Sequence, residues 1–202
     1  MRESSTAEQT LHQAGVGAFF RPRDVAPFGI SFAQLQSLVT AGVVEKVSPG
    51  LYRRTSIKPN ELETVAMVAS AIPEGIICLL TALSIHDIGT QLPHEIWIAI
   101  DRRARKPVRL PAQVRLFRFS DQMLTYGVVT RLMLGVPVKI TSAARTVVDC
   151  FRYRNKVGLD VAIEALSDAV RRRKATVDEI DRAAEVCRQR NVMRPYLQAL
   201  LA

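Results

Sequence analysis

Cations, rather than nucleophiles or paired acids, are the residues of this chain best placed to do chemistry. Arg21, Arg23, Lys46, Arg53 and Arg54 flank one stretch between residues 19 and 54, and Arg102, Arg103, Arg105, Lys106 and Arg109 fill a later segment. Groups of this kind neutralise phosphates, and six to ten phosphate contacts would cost roughly three to five decades of affinity between low and moderate salt. The alternative for each residue is a solvated surface cation. The 102–109 segment keeps three readings: a second phosphate-contacting patch, a contact with RNA or a protein partner, or a solvated hairpin loop. Ser31, Gln34, Ser37 and Ser48 complete the candidate DNA-binding set, since serine and glutamine reach base edges and glutamine can pair bidentately with adenine.

The elements that must position these residues are short and well marked. Ser31 with Gln34 three residues on forms a capping box, and Gly42 supplies the left-handed residue that ends the helix, so a helix is expected over 31–41. Phe32, Leu35, Leu38 and Val39 recur at the helical period and should form its buried stripe, leaving Ala33, Gln34, Ser37 and Ala41 outside. Before it, residues 21–26 read as a short helix, with Pro27 and Gly29 forcing a bend. After it, Val43–Val47, the turn Ser48-Pro49-Gly50-Leu51 and Leu51–Arg54 read as a hairpin. Helix, turn, helix and basic hairpin in this order predict a winged helix-turn-helix, the 31–41 helix facing the major groove. That helix carries no Arg or Lys, so the commonest guanine contact is missing and discrimination should be modest, ~1–3 kcal/mol at a base pair that is read well.

Composition sets the limits. The chain has 202 residues, 48% of them hydrophobic, and a formal net charge of +9. The length suits two small cores, and we place a boundary near Pro59-Asn60, giving a DNA-binding domain over 1–58 and a larger domain over 59–202. Lys and Arg outnumber Asp and Glu by 7 to 4 over residues 1–58, 8 to 7 over 59–135 and 13 to 8 over 136–202. The basic excess is therefore not confined to the hairpin. Cys78, Cys150 and Cys187 are far apart and form no C-x-x-C pair, which fits reduced thiols in a cytoplasm. The longest apolar run, near Ile76–Ile88, is interrupted and too short to span a bilayer, and there is no signal-peptide pattern. We expect a cytoplasmic, nucleoid-associated protein with no cofactor, no metal and no membrane partner.

Past the boundary the chain reads as α+β. Asn60 and Glu63 mark a helix to about Ala71, followed by a helix over about 79–86 and strands over 95–101, 113–119, 128–134 and 136–140. Helices over about 141–154, 158–174 and 176–190 follow, with a last one from Arg194 whose first turn holds Pro195. A nucleic-acid enzyme is the first rival reading, but its metal ions would need clustered carboxylates. Asp101 ends a strand and is followed by Arg102 and Arg103, while the next strand carries Arg115 and Arg118. Phosphate-loop and nucleophile-elbow motifs are missing too, so no catalytic residue is assigned. Arg145 and Asp149, four apart, share a helix face and read first as an ion pair, His86 and Trp97 as core residues, and Arg171–Lys174 as cations favoured at a helix C-terminus.

Three local patterns together resemble the AbiEi family of antitoxins and transcriptional autorepressors from bacterial abortive-infection toxin-antitoxin operons. They are Gly29-Ile30-Ser31 with Leu35, Leu38, Gly42 and Gly50-Leu51-Tyr52; Thr81-Ala82-Leu83-Ser84-Ile85-His86; and Ser142, Arg145, Thr146 and Asp149. Asp87 departs from the glycine that often follows the histidine in that family. The resemblance implies a sequence-specific DNA-binding antitoxin that represses its own operon, on operator DNA arranged as inverted repeats, and counteracts a nucleotidyltransferase-like toxin. It further implies a monomer, or weak self-association on DNA. The alternative is a DNA-binding regulator whose second domain senses a ligand or partner unrelated to a toxin.

Overall fold

The computed structural model describes residues 9–201; Ser5-Thr6-Ala7-Glu8, whose residue types form a capping-box sequence, lies outside them. Two compact units are present. The first comprises the described residues up to Glu74 with Lys106–Ala112 and Thr130–Val138; the second comprises Gly75–Arg105, Gln113–Val129 and the chain from Lys139 onward. The architecture is mixed α+β with two sheets, of three and five strands.

In the first unit, helix α1 (residues 9–13) leads to strand β1 (Phe19–Phe20), the short helix α2 (Pro22–Val25) and a 3-10 turn over Ala26–Phe28. Gly29 takes φ +80°, which turns the chain into α3 (Phe32–Thr40). Strands β2 (Val44–Ser48) and β3 (Leu51–Arg54) form the hairpin, and β1 adds to it in the order β1-β3-β2. The proline-glycine turn behaves as its residues require, with Gly50 at φ +75°. Helix α4 (Glu63–Ala71) follows. Asn60 does not cap it: its side chain accepts from Leu62 N–H, and the N-cap position falls on Leu62.

The buried stripe of α3 departs from the expected one. Leu35 and Leu38 are buried, but Phe32 is 66% exposed. Ile30, just before the cap, lies in the same buried cluster as Leu35, the fourth helical residue. That is the hydrophobic-staple pairing, and it closes the first turn against the core without Phe32. Leu11, Phe20, Val25, Val44 and Tyr52 complete this cluster, each burial of a large apolar side chain contributing roughly 1.5–3 kcal/mol.

The second unit is organised on the five-stranded sheet, ordered β6-β5-β4-β8-β7. Its strands are β4 (Ile76–Ile77), β5 (Ile96–Asp101), β6 (Val114–Phe119), β7 (Val128–Met133) and β8 (Val136–Thr141), and the Thr130–Val138 end of the last hairpin is grouped with the first unit. At that end Leu134 and Gly135 have φ +49° and +75°, the two positive values a tight primed turn needs. Two-residue β4 was not expected, yet it is central: Ile76 and Ile77 pair antiparallel with Ala99 and Ile98 and parallel with Lys139 and Ile140. Beside the sheet pack α5 (Leu79–His86), α6 (Ala143–Arg152), α7 (Arg154–Val157), α8 (Leu159–Arg171), α9 (Val177–Val186) and α10 (Arg190–Leu201). Pro195 sits inside α10 and not in its first turn, because the helix begins four residues earlier than expected. Every residue of α6 from Ala144 to Phe151 is buried, making it the interior helix of this unit. Trp97 stacks on Phe117 at 5.2 Å, and Phe117 meets Tyr153 edge-on at 5.2 Å.

Candidate nucleic-acid interface

Helix α3 presents an exposed face made of Phe32, Ala33, Gln34, Gln36 and Ser37. Its first turn is held by its own side chains. Ser31 Oγ accepts from Gln34 N–H at 3.3 Å, and Gln34 Oε1 accepts from Ser31 N–H at 2.8 Å. Gln34 therefore has its carbonyl oxygen engaged and offers its amide NH2 outward, so bidentate pairing with adenine would require the cap to open. Ser37 donates to Ala33 O at 3.2 Å. Two residues passed over in the sequence stand out here: Gln36, whose amide donates to Tyr52 Oη at 3.2 Å and ties helix to hairpin, and Phe28, which is 50% exposed beside the helix start. Phe28 and Phe32 bracket Gly29-Ile30-Ser31, and an aromatic on each side of a staple residue was the available signal.

The five cations of this region divide sharply. Arg21 is half-buried and donates to the carbonyls of Ser70, at 2.8 Å, and Ala71, at the C-terminus of α4, where the helix dipole favours a cation. Burial lowers its pKa from the ordinary arginine value, with Arg23 nearby acting in the same direction. Arg53 is only 15% exposed; it pairs with Glu63 at 2.8 Å and with Glu45, its cross-strand partner, at 3.3 Å, and donates to Ile57 O. Arg54 donates to Val16 O at 2.9 Å. Arg23 and Lys46 are exposed, Arg23 lying 3.7 Å from Asp24. Ser48 is half-buried beside a register shift in β2.

Arg102, Arg103, Arg105, Lys106 and Arg109 are all exposed. The start of their segment is fixed: Asp101 Oδ1 accepts from Arg103 N–H at 2.7 Å, and Arg118 donates to the carbonyls of Asp101 and Ala104. Arg115 pairs with Glu95 at 2.6 Å and lies over the Trp97 ring. The Arg171–Lys174 run is partly consumed within its unit, Arg172 pairing with Asp87 and Asp168, and Lys174 with Asp87.

A second polar constellation is interior. Arg145 and Asp149 both have fully buried side chains, with Nε to Oδ1 at 2.9 Å. Arg145 also donates to Tyr126 O at 2.6 Å and Met123 O at 3.4 Å, and its guanidinium lies over Phe119. Asp149 Oδ2 has no hydrogen-bond partner among the described residues. Burial pushes the Asp149 carboxyl up to about 6, the pull of Arg145 offsetting only part of the desolvation. Thr146 Oγ1 lies 2.7 Å from Thr141 Oγ1, and His86 Nε2 lies 2.7 Å from Thr141 O. A carbonyl only accepts, so Nε2 carries the proton. Cys78, Cys150 and Cys187 are unpaired and buried, with burial raising their thiol pKa values. Among the described residues no His, Cys, Asp and Glu cluster could hold a metal ion, and no helix is long and apolar enough to cross a membrane.

Residues 13–55 match the AbiEi antitoxin family of transcriptional regulators. The matched segment takes in β1, α2, α3 and the hairpin, so the capped helix and its flanking cations lie inside it. The Thr81–His86 and Ser142–Asp149 patterns lie outside the match. No curated protein matches the chain. Among solved structures, the crystal structure of the RV2827C protein from Mycobacterium tuberculosis is similar at a TM-score of 0.57 and 13% identity, covering 100% of this chain and 81% of that one. At that identity the likeness is one of fold alone.

Proposed function

We propose that residues 19–54 work as a winged helix-turn-helix that binds double-stranded DNA, with α3 in the major groove and the β2–β3 hairpin as the wing. The observation that carries this reading is the exposed, uncharged face of α3 inside the AbiEi segment. In helix-turn-helix proteins the first residues of the recognition helix meet base edges. Phe32 is suited to the thymine methyl group and the Gln34 amide to a base acceptor. Arg23 and Lys46 supply direct phosphate contacts, while Arg21, Arg53 and Arg54 shape the module from within. The basic 102–109 segment contributes further phosphate contacts.

The module serves an antitoxin of residues 1–58 and 59–202 that represses its own operon and opposes a nucleotidyltransferase-like toxin through the larger part. Footprinting the full chain on its own promoter tests the DNA reading, paired protections over an inverted repeat being expected. In a gel-shift series over salt, Arg23→Ala with Lys46→Ala should flatten the plot of log affinity against log salt by about 2, with sequence preference kept. No footprint, or an affinity independent of salt, would remove the proposal.

A further inference from the structure

A cavity of about 290 Å³ opens in the second unit between the turn after β6 and the C-terminal end of α9. Arg145 lies in its lining with a fully buried side chain, and Arg152 and Arg188, both exposed, line it as well. Ser120, Gln122 and Tyr126 are further polar residues of its lining. None of the described lining residues is acidic. Arginine forks match the oxygens of phosphate and carboxylate, and of the three only Arg145 has a carboxylate partner among the described residues, Asp149.

The surrounding backbone holds this arrangement. Arg145 is fixed by the carbonyls of Tyr126 and Met123, which are themselves lining residues. Gly127 lies so close that a Cβ there would stand 2.9 Å from Arg145 Cβ, so the turn can approach the helix only without a side chain at that position. Arg152 donates to Cys187 O at 3.2 Å, tying two of the lining residues together. Arg188 follows the C-cap of α9 with φ +56°, a conformation that favours glycine. An arginine therefore stands where helix geometry alone would favour glycine, and its side chain lines the cavity.

The geometry points to this cavity as a binding site for the phosphate group of a small phosphomonoester, gripped by the exposed Arg152 and Arg188, with the buried Arg145 adding its field from beneath. Charge selects the class. Three arginines less the Asp149 carboxylate leave a formal excess of two, which a phosphomonoester dianion balances and a single carboxylate does not. Size points to a small ligand, since the volume of about 290 Å³ falls just below the roughly 300–1,000 Å³ of sites for drug-sized molecules. The site stands independently of DNA binding.

Calorimetry of the full chain in low-chloride buffer with ribose 5-phosphate and with inorganic phosphate tests it, together with amide chemical-shift mapping. Saturable one-to-one binding of ribose 5-phosphate at millimolar concentration or below is expected, with shifts at Ser120, Gln122 and Arg188. Arg188→Asn keeps a residue that tolerates positive φ and should weaken binding on the order of tenfold without changing the melting temperature of the free protein. Absence of saturable binding, unchanged binding by Arg188→Asn, or shifts confined to residues 21–54 would each overturn the site. Binding of a 5′-phosphorylated oligonucleotide at the cavity without binding of ribose 5-phosphate would overturn the assignment to a small molecule.

Discussion

Helices α3 and α6 begin alike and end in opposite surroundings. Each is capped by a serine, Ser31 and Ser142, whose hydroxyl accepts the N–H of a residue three positions on, Gln34 and Arg145. In α3 only Leu35 and Leu38 are buried, so its polar side chains are turned outward, Gln34, Gln36 and Ser37 each keeping one hydrogen bond within the protein. In α6 eight consecutive residues are buried, and its polar side chains must find partners inside. Arg145 finds three and Asp149 one, leaving one carboxylate oxygen without a hydrogen bond. The lesson is that a capped start and a polar residue at the third position do not distinguish a surface helix from an interior one. Burial does.

The harshest way to break the comparison is Arg145→Ala. It removes the partner of a buried charge together with the hydrogen bonds that hold the Met123–Tyr126 turn, and should cost about 3–5 kcal/mol in urea unfolding followed at Trp97. Arg23→Ala, exposed in the other unit, should stay within about 0.5 kcal/mol of the parent. A loss below about 1 kcal/mol for Arg145→Ala would show that the interior pair is replaceable by water and is no anchor.

How much of this was legible beforehand follows from the same contrast. The limits of α3 could be read because Ser31, Gln34, Gly42 and Gly50 are local signals that need no knowledge of the core. Phe32 was misplaced because the helical period puts it beside Leu35, whereas the staple residue Ile30, one position before the cap, takes the inward place. The strands Phe19–Phe20 and Ile76–Ile77 were out of reach, since two residues carry no alternation and both lie in apolar runs. Arg145 and Asp149 were readable as a pair by spacing, but their complete burial depends on α6 being covered by α5, α8 and α9, which no local pattern states. The cations show the same limit. Arg21, Arg53 and Arg54 have the composition of a phosphate clamp, and only the fold reveals the carbonyls and glutamates that engage them.

A subtler test uses pH. Asp149 is held at about 6 in the folded protein, above its ordinary value of 3.8, so the folded state binds this proton more tightly than the unfolded chain. Its stabilising contribution is fully present below the unfolded value and is lost as pH rises through about 6. Relative to Asp149→Asn, the parent should therefore lose on the order of 3 kcal/mol between pH 4 and pH 7, read from paired urea titrations. Parallel pH profiles for the two proteins would mean that Arg145 compensates the buried charge fully.

The smallest effect sharpens the comparison at the caps themselves. Ser31→Ala and Ser142→Ala each delete one hydroxyl acceptor from a helix start, a change worth about 0.5–2 kcal/mol. Ser31 is exposed, so water replaces the lost acceptor and the loss should fall near the lower end. Ser142 is half-buried beneath Gly127, and the orphaned Arg145 N–H has less access to solvent, so its loss should fall near the upper end. Ser31→Ala also releases Gln34 from its reciprocal bond, so amide exchange should quicken in the first turn of α3 and nowhere in the second unit. Equal losses at the two serines would show that cap strength is set by the helix start alone, and the contrast between the two helices would then rest only on what their side chains meet.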